Sequence, residues 1–203
     1  MNILQIDSSL YSEAGQSSRI ARELAHALAV DGQLTHRDLA REPLPHLDAA
    51  RFAAFTTPSE QRTLSQRAVV AESDVLIEEL RQADVLVLAA PMYNYGIPSQ
   101  LKAWFDHIAR AGVSFRYTAN GPEGLLTGKK AYVVSTRGGV HAAGNAPDAE
   151  TAHVRAFLAL IGFADVEFIY AEGLAMGDTP RQAALASAHA AVARIAAPLA
   201  QAA

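Results

Sequence analysis

Short apolar runs alternate along the chain with longer stretches in which hydrophobic residues recur every three or four positions. The runs at 3–6, 34–37, 85–89, 131–135 and 166–171 are the strand candidates, and several are near-continuously apolar. Such runs suit the strands of a parallel sheet, which is covered on both faces. Helical patterns occupy 17–30, 59–81, 99–111, 149–161 and 180–200. Strict alternation of strand and helix predicts an α/β architecture. It is an open, doubly wound, five-stranded parallel sheet with helices on both faces, three layers in all, joined by right-handed crossovers. Ligands of such sheets sit outside the carboxyl ends of the strands. The loops after Ile6, Ala90 and Ser135 are therefore expected to carry the chemistry.

Five β–α units of roughly 30 residues need about 150 residues, which leaves room for two elaborations in a chain of 203. Residues 38–58, with Pro43, Pro45 and Pro58, read as an irregular connection with a short helix. In residues 112–128, Val113 to Tyr117 alternate with strand period and a turn-forming sequence follows at Asn120, Gly121, Pro122, Glu123 and Gly124. That pattern predicts a β-hairpin projecting from the sheet. No repeat, charge run or linker divides the chain, so residues 1–203 are expected to form one domain.

Composition narrows the chemistry more than the fold. Without cysteine there is no disulfide framework, no cysteine-held cluster or zinc, and no thiol nucleophile. A net charge of −4 argues against nucleic acid or an anionic membrane as the main partner. The N-terminal residues lack the basic region of a secretory signal. No window reaches the ~20 apolar residues of a membrane span. A cytoplasmic globular protein is the expectation. The seven histidines show no His-Glu-x-x-His spacing, so no metal site is expected.

The first functional loop, residues 7–18, is dense in hydroxyls and places Gly15 just ahead of a helix. A helix N-terminus offers unpaired N–H groups and about half a positive charge, so it can hold a phosphate without Lys or Arg. Helix capping accounts equally well for Ser17 or Ser18 taken singly. In the second loop, residues 90–102, Tyr93 and Tyr95 flank Asn94 between Pro91 and Pro98. This suits a flat heterocycle with alternating donors and acceptors. A turn leading to a helix cap explains Pro98 and Ser99 but leaves Met92 to Tyr95 without a purpose. The third loop, residues 136–144, carries Gly138 and Gly139, which allow close approach of the backbone to a ligand or simply a tight turn. Other motifs fail. Residues 124–130 look like a phosphate loop, but position 123 is Glu and Lys130 stands where Ser or Thr is required. Asp7 and Ser8 suggest a serine hydrolase, yet no Gly-x-Ser-x-Gly exists and residues 178–181 lack a histidine.

Ala90-Pro91-Met92-Tyr93-Asn94-Tyr95, then Gln100-Leu101-Lys102 and Phe105-Asp106, closely resemble the FMN-dependent NADH-azoreductases. So do residues 109–117, 121–125 and 137–141, Arg37 to Ala40 and Ala171 to Gly173, so that the likeness runs almost end to end. Gly15 and Thr136 depart from it, standing where many relatives have serine. The resemblance implies a flavodoxin-like fold, a homodimer, FMN as bound cofactor, NADH as donor, and quinones as well as azo compounds as acceptors. It puts the FMN phosphate on Ser9, Gly15, Gln16 and Ser17. The ribityl chain and ring fall to Met92, Tyr93, Asn94 and Tyr95, and the pyrimidine end to Thr136, Arg137, Gly138 and Gly139. No side chain is expected to be essential, because the flavin carries the hydride at N5. The amides of Gly138 and Gly139, with His141, are candidates for steadying negative charge at its N1–C2=O edge. Tyr95, Phe115 and Tyr117 are candidate walls, Phe115 and Tyr117 being open also to a plain packing role. The absence of Gly-x-Gly-x-x-Gly favours donor and acceptor visiting one flavin face in turn, with ping-pong kinetics. The dimer is expected to cover apolar surface on the hairpin and on the helix bearing Trp104 and Phe105. The rival reading is a flavodoxin-type electron carrier that binds FMN without NADH-dependent turnover of its own.

Overall fold

The structure, a computed structural model, describes residues 1–30, 32–141 and 148–200. Five strands form one parallel sheet: β1 (Ile3–Asp7), β2 (Leu34–Asp38), β3 (Val85–Pro91), β6 (Lys130–Thr136) and β7 (Asp165–Ala171). Their order is β2-β1-β3-β6-β7, so the chain winds outward in one direction from β1, then in the other from β3. That is the doubly wound arrangement, with its switch point between β1 and β3. The period of two along β3 splits its side chains cleanly. Leu86, Leu88 and Ala90 enter the core shared with α3 (Leu64–Gln82), α4 (Ser99–Ile108) and α5 (Ala149–Ile161). Val85, Val87 and Ala89 enter the core shared with α1 (Gln16–Leu28) and α6 (Asp178–Ala200). Both faces are dry, and every residue of β3 is buried.

The long helical pattern at 59–81 is two elements. A single 3-10 turn, Ser59–Gln61, precedes α3. Thr63 begins α3 with a capping box: its hydroxyl accepts from the Gln66 N–H at 3.2 Å, and Gln66 Oε1 accepts from the Thr63 N–H at 3.0 Å. The short helix expected within residues 38–58 is α2 (Ala49–Thr56), capped by Asp48 accepting from Arg51 N–H at 2.7 Å. It docks on α3 and α4 through Arg51, which donates to Glu72 at 2.8 Å and faces the buried His107 at 3.4 Å.

The hairpin forms, but its turn lies earlier than the glycine and proline pattern suggests. β4 (Phe115–Thr118) pairs with β5 (Gly121–Gly124), so the chain reverses at Ala119 and Asn120 while Pro122 and Glu123 sit in the second strand. An edge strand tolerates Pro122 because its outer side needs no donor. Trp104 and Phe105 are fully buried, with Phe105 stacked on Phe157 of α5 at 3.8 Å. The apolar surface once assigned to them is therefore already covered within the chain, and they supply no argument for a dimer.

The hairpin is anchored where Gly124 meets the end of α5. A Cβ on Gly124 would stand 2.1 Å from the backbone nitrogen of Gly162. Gly162 itself takes a φ of +113° to close the helix. Gly124→Ala is therefore expected to cost about 1–3 kcal/mol by forcing two backbones apart. Urea unfolding should show a lower midpoint with an unchanged slope.

Candidate functional site

The carboxyl ends of β1, β3 and β6 open into one crevice of about 490 Å³ including its mouth. Ser9, Gly15, Gln16 and Ser17 line it from the first loop, Met92 and Tyr93 from the second, and Thr136, Arg137 and Gly138 from the third. Nine of the twelve residues expected to hold a cofactor are thus brought together. Asn94, Tyr95 and Gly139 sit on the same loops but outside the lining. Residues 142–144 of the third loop lie outside the described residues. Tyr11, Pro91 and Leu174 line the crevice without having been singled out. Leu174 was findable, because it follows the carboxyl end of β7 and the strand-end rule applies there too.

Hydrogen bonds join the loops. The Tyr93 hydroxyl meets Ser9 Oγ at 3.4 Å and accepts from the Leu10 N–H at 3.3 Å. Met92 N–H donates to the Thr136 carbonyl at 3.0 Å. Ser8 and Asp7 are structural. Ser8 donates to the Ala89 carbonyl at 2.7 Å, and the buried Asp7 accepts from Gln5 and pairs with His36 at 2.9 Å. The Asp7 hydrogen bond raises His36 above its ordinary pKa. A nucleophilic serine has no place in this arrangement.

The first loop is shaped for an anion. Gly15 is the N-cap of α1 and contributes no side-chain cap, so the opening N–H groups of the helix are left for another acceptor. The hydroxyls of Ser17 and Ser18 are buried without a partner. A Cβ on Gly15 would stand 2.2 Å from Ser9 Oγ, so glycine is what lets Ser9 close over the helix end. With no side chain at all, Gly15 keeps the cradle open. Buried polar groups are normally satisfied. Donors left without a partner around a helix N-terminus can hold an anionic group, which a side-chain cap would otherwise replace.

In the second loop, Tyr93 and Gly96 exchange both backbone hydrogen bonds at 3.0 Å around Asn94 and Tyr95, whose φ angles are +51° and +66°. This is a tight turn of the type that normally uses Asn-Gly. Tyrosine in the left-handed region costs about 1–2 kcal/mol. Its exposed ring lies edge-on to His141 at 5.7 Å, so the strained backbone holds an aromatic face at the mouth.

In the third loop, the carbonyls of Arg137, Gly138 and Gly139 accept from Leu174, Ala175 and Gly173 at 2.9–3.0 Å. The Gly138 and Gly139 amides have no acceptor among the described residues. The Arg137 guanidinium does not serve the crevice directly. It is buried among Asp148, Glu150 and Glu172, so Arg137 contributes main chain to the site and its side chain to the scaffold. Tyr117 is largely exposed on the hairpin, ring edge to the buried Phe115 at 5.3 Å, and neither lines the crevice within one chain.

Known proteins share the family and the fold. A family model described as a flavodoxin-like fold matches residues 1–195. An FMN-dependent NADH:quinone oxidoreductase of Burkholderia thailandensis is 54% identical over 196 residues, 95% of this chain and 98% of the relative. The chain belongs to this flavodoxin-like family. Among solved structures, an azoreductase from Bacillus anthracis str. Sterne superimposes with a TM-score of 0.87 at 22% identity, covering 97% of this chain and 98% of the other. An FMN-dependent NADH-azoreductase from Bacillus anthracis str. Ames Ancestor, solved in complex with FMN, gives 0.83 at 21% identity, covering 96% and 99%. These two likenesses establish the fold. No helix among the described residues is long and apolar enough to cross a membrane.

Charged groups lie beneath the third loop of the crevice. Burial pushes the Glu150 carboxyl up to about 7, against the opposing pull of Arg137 and Ser135. At Asp148 burial also works against the charge, but the Thr151 donors and Arg137 outweigh it and hold that carboxyl below its usual range. A carboxyl with a raised folded pKa binds its proton more tightly folded than unfolded. Its contribution is therefore greatest below the unfolded value and declines as pH rises to about 7. At about 1.4 kcal/mol per unit, the decline amounts to up to about 3 kcal/mol. Glu150→Gln should flatten it, and urea unfolding at pH 5 and pH 8 should show the variant gaining on the wild type as pH rises.

Proposed function

We propose that the crevice holds FMN with its phosphate at the N-terminus of α1, and that the chain uses it to pass hydride from NADH to quinones, with azo compounds as further acceptors. The cofactor and the class of enzyme follow from the family: the chain is an FMN-dependent oxidoreductase that takes electrons from NADH. One observation carries the orientation. The uncapped start of α1, the orphaned Ser17 hydroxyl and the side-chain-free Gly15 under Ser9 make a cradle for a phosphate and for little else.

When bound, FMN supplies a ring nitrogen that takes up a hydride and gives it back. Everything else falls to the chain. Ser9, Gly15, Gln16 and Ser17 hold the phosphate. Met92, Tyr93, Asn94 and Tyr95 run beside the ribityl chain and the ring. Thr136 and the main chain of Arg137, Gly138 and Gly139 face the pyrimidine edge. There the two glycine amides offer fixed positive potential where negative charge is to be borne. His141 sits at the mouth against Tyr95 and steadies that face without moving a proton.

With one cofactor site and no dinucleotide fingerprint, donor and acceptor use the same face in turn, which is ping-pong order. A quinone is satisfied by one round, whereas cleaving an azo bond to two amines takes four electrons and two NADH. We read residues 1–203 as a single domain working in the cytoplasm as a homodimer. Leu10, Tyr11, Tyr95, Val140 and Met176 stay exposed on the loops around the crevice. A second copy would cover such a cluster and bring an exposed aromatic such as Tyr117 to its neighbour's site.

Ser17→Ala removes a hydroxyl that nothing among the described residues satisfies, so apo-protein melting should be unchanged. A hydrogen bond to a charged group is worth about 1.5–3 kcal/mol, so FMN affinity should fall at least tenfold by fluorescence titration. Unchanged affinity would mean that the phosphate binds elsewhere. With the wild-type holoenzyme, anaerobic NADH should bleach the flavin, and a quinone should restore it along parallel double-reciprocal lines. A yellow protein indifferent to NADH would be an electron carrier.

A further inference from the structure

Beneath the third loop, Arg137 is one of the largest fully buried side chains in the molecule. All five of its N–H groups are committed. Nε is shared between Ser135 Oγ at 2.9 Å and Glu150 Oε2 at 3.2 Å. One terminal nitrogen donates to Asp148 at 3.0 Å and Glu172 at 3.1 Å. The other donates to Asp148 at 3.1 Å and Thr151 at 2.8 Å. The Tyr170 ring lies under the guanidinium at 4.9 Å. The fork therefore ties together β6 through Ser135, the start of α5 through Asp148, Glu150 and Thr151, and the end of β7 through Tyr170 and Glu172. Glu172 in turn accepts from the His141 N–H at 3.1 Å, so the far end of the described loop is tied to the same anchor.

We propose that Arg137 and Glu150 are a positioning pair for the flavin reaction, fixing the Gly138 and Gly139 amides from below without touching the cofactor. This rests on the assignment of the third loop to the pyrimidine edge. The backbone of 137–139 is pinned on one side by its three carbonyls on residues 173–175. On the other side the only side chain long enough to anchor it belongs to Arg137, the two following residues being glycines. Lysine cannot replace the fork, because it has three donors and no planar bidentate geometry for Asp148.

Glu150 is the variable member. One of its oxygens serves Ser135 and Arg137, while the other is buried with no partner among the described residues. The charges acting on it come from Arg137 and Asp148. Lys102 and Asp106 of α4, which packs against α5, act on His153 instead. One cation faces three carboxylates, so ionisation of Glu150 adds negative charge directly beneath the loop whose amides are meant to attract negative charge. It should therefore disfavour the reduced, electron-rich flavin more than the oxidised one.

The test measures the midpoint potential of FMN bound to the holoenzyme, against a reference dye, from pH 6 to pH 8.5. Wild type and Glu150→Gln should coincide at pH 6. Above pH 7 the wild type should fall below the variant, which lacks the extra pH dependence. A purely structural Glu150 would change melting of the apo-protein but leave the two potential curves parallel at every pH, and that result would overturn the proposal. Should Glu150→Gln not yield holoenzyme, Thr151→Val serves. It removes one acceptor from the fork, leaves all three carboxylates, and should weaken FMN binding about tenfold; unchanged binding overturns the proposal. Failure here is distinct from failure of the site assignment. If Ser17→Ala weakens FMN binding while the potentials stay parallel, the crevice stands and only the positioning role falls.

Discussion

The centre of the sheet is dry on both faces, and nearly everything else in the molecule follows from that. A parallel strand buried above and below has nowhere to put a polar side chain except at its ends. All of β3 and Ala131 to Val134 of β6 obey this, and in β1 the one mid-strand exception, Gln5, is tied to the Asp7 carboxylate. Because β1 and β3 are neighbours whose connections leave in opposite directions, their carboxyl ends leave a gap that no crossover covers. The crevice is the geometric remainder of a hydrophobic requirement.

Within that remainder, satisfied and unsatisfied polar groups separate scaffold from site. Arg137, Ser8 and Asp7 are deeply placed, Asp148 is half-buried, and all four are hydrogen-bonded to neighbours that can be named. They brace the loops. Among the described residues, the Ser17 hydroxyl, the first amides of α1 and the Gly138 amide are left over around the crevice, with the Gly139 amide next to it on the same loop. A folded chain that satisfies a five-donor guanidinium completely, yet leaves these donors bare, has the polar layout that the proposed FMN site requires. The left-handed backbone at Asn94 and Tyr95 belongs to the same picture, since strain held at a loop tip is retained where it presents a surface.

Much of this was legible beforehand, and the misses have physical causes. The strands and the hairpin could be read from runs and alternation. Residues 59–81 looked like one helix because periodicity does not register a capping box, and Thr63 with Gln66 restarts the helix inside the pattern. Glycine and proline mark turns locally and point to Asn120 to Gly124, but strand register puts the reversal at Ala119 and Asn120, so only Asn120 is shared. Trp104 and Phe105 looked available for an interface because an amphipathic helix does not say what covers it; α5 does. Arg137 was grouped with the cofactor contacts because its neighbours in sequence belong there. Its side chain leaves the crevice for carboxylates 11 to 35 residues away, a fact that no local pattern contains.

By itself, then, the sequence determined the kind of sheet, the three loops at its carboxyl ends, and the residue types from which a flavin site is built. These depend on local periodicity and on short-range chemistry, which are written along the chain. The tertiary structure decided which donors remain bare, which charges are sealed beneath them, and which aromatics are already spent on the core. Those are properties of neighbours distant in sequence, brought together only when both faces of the sheet are buried.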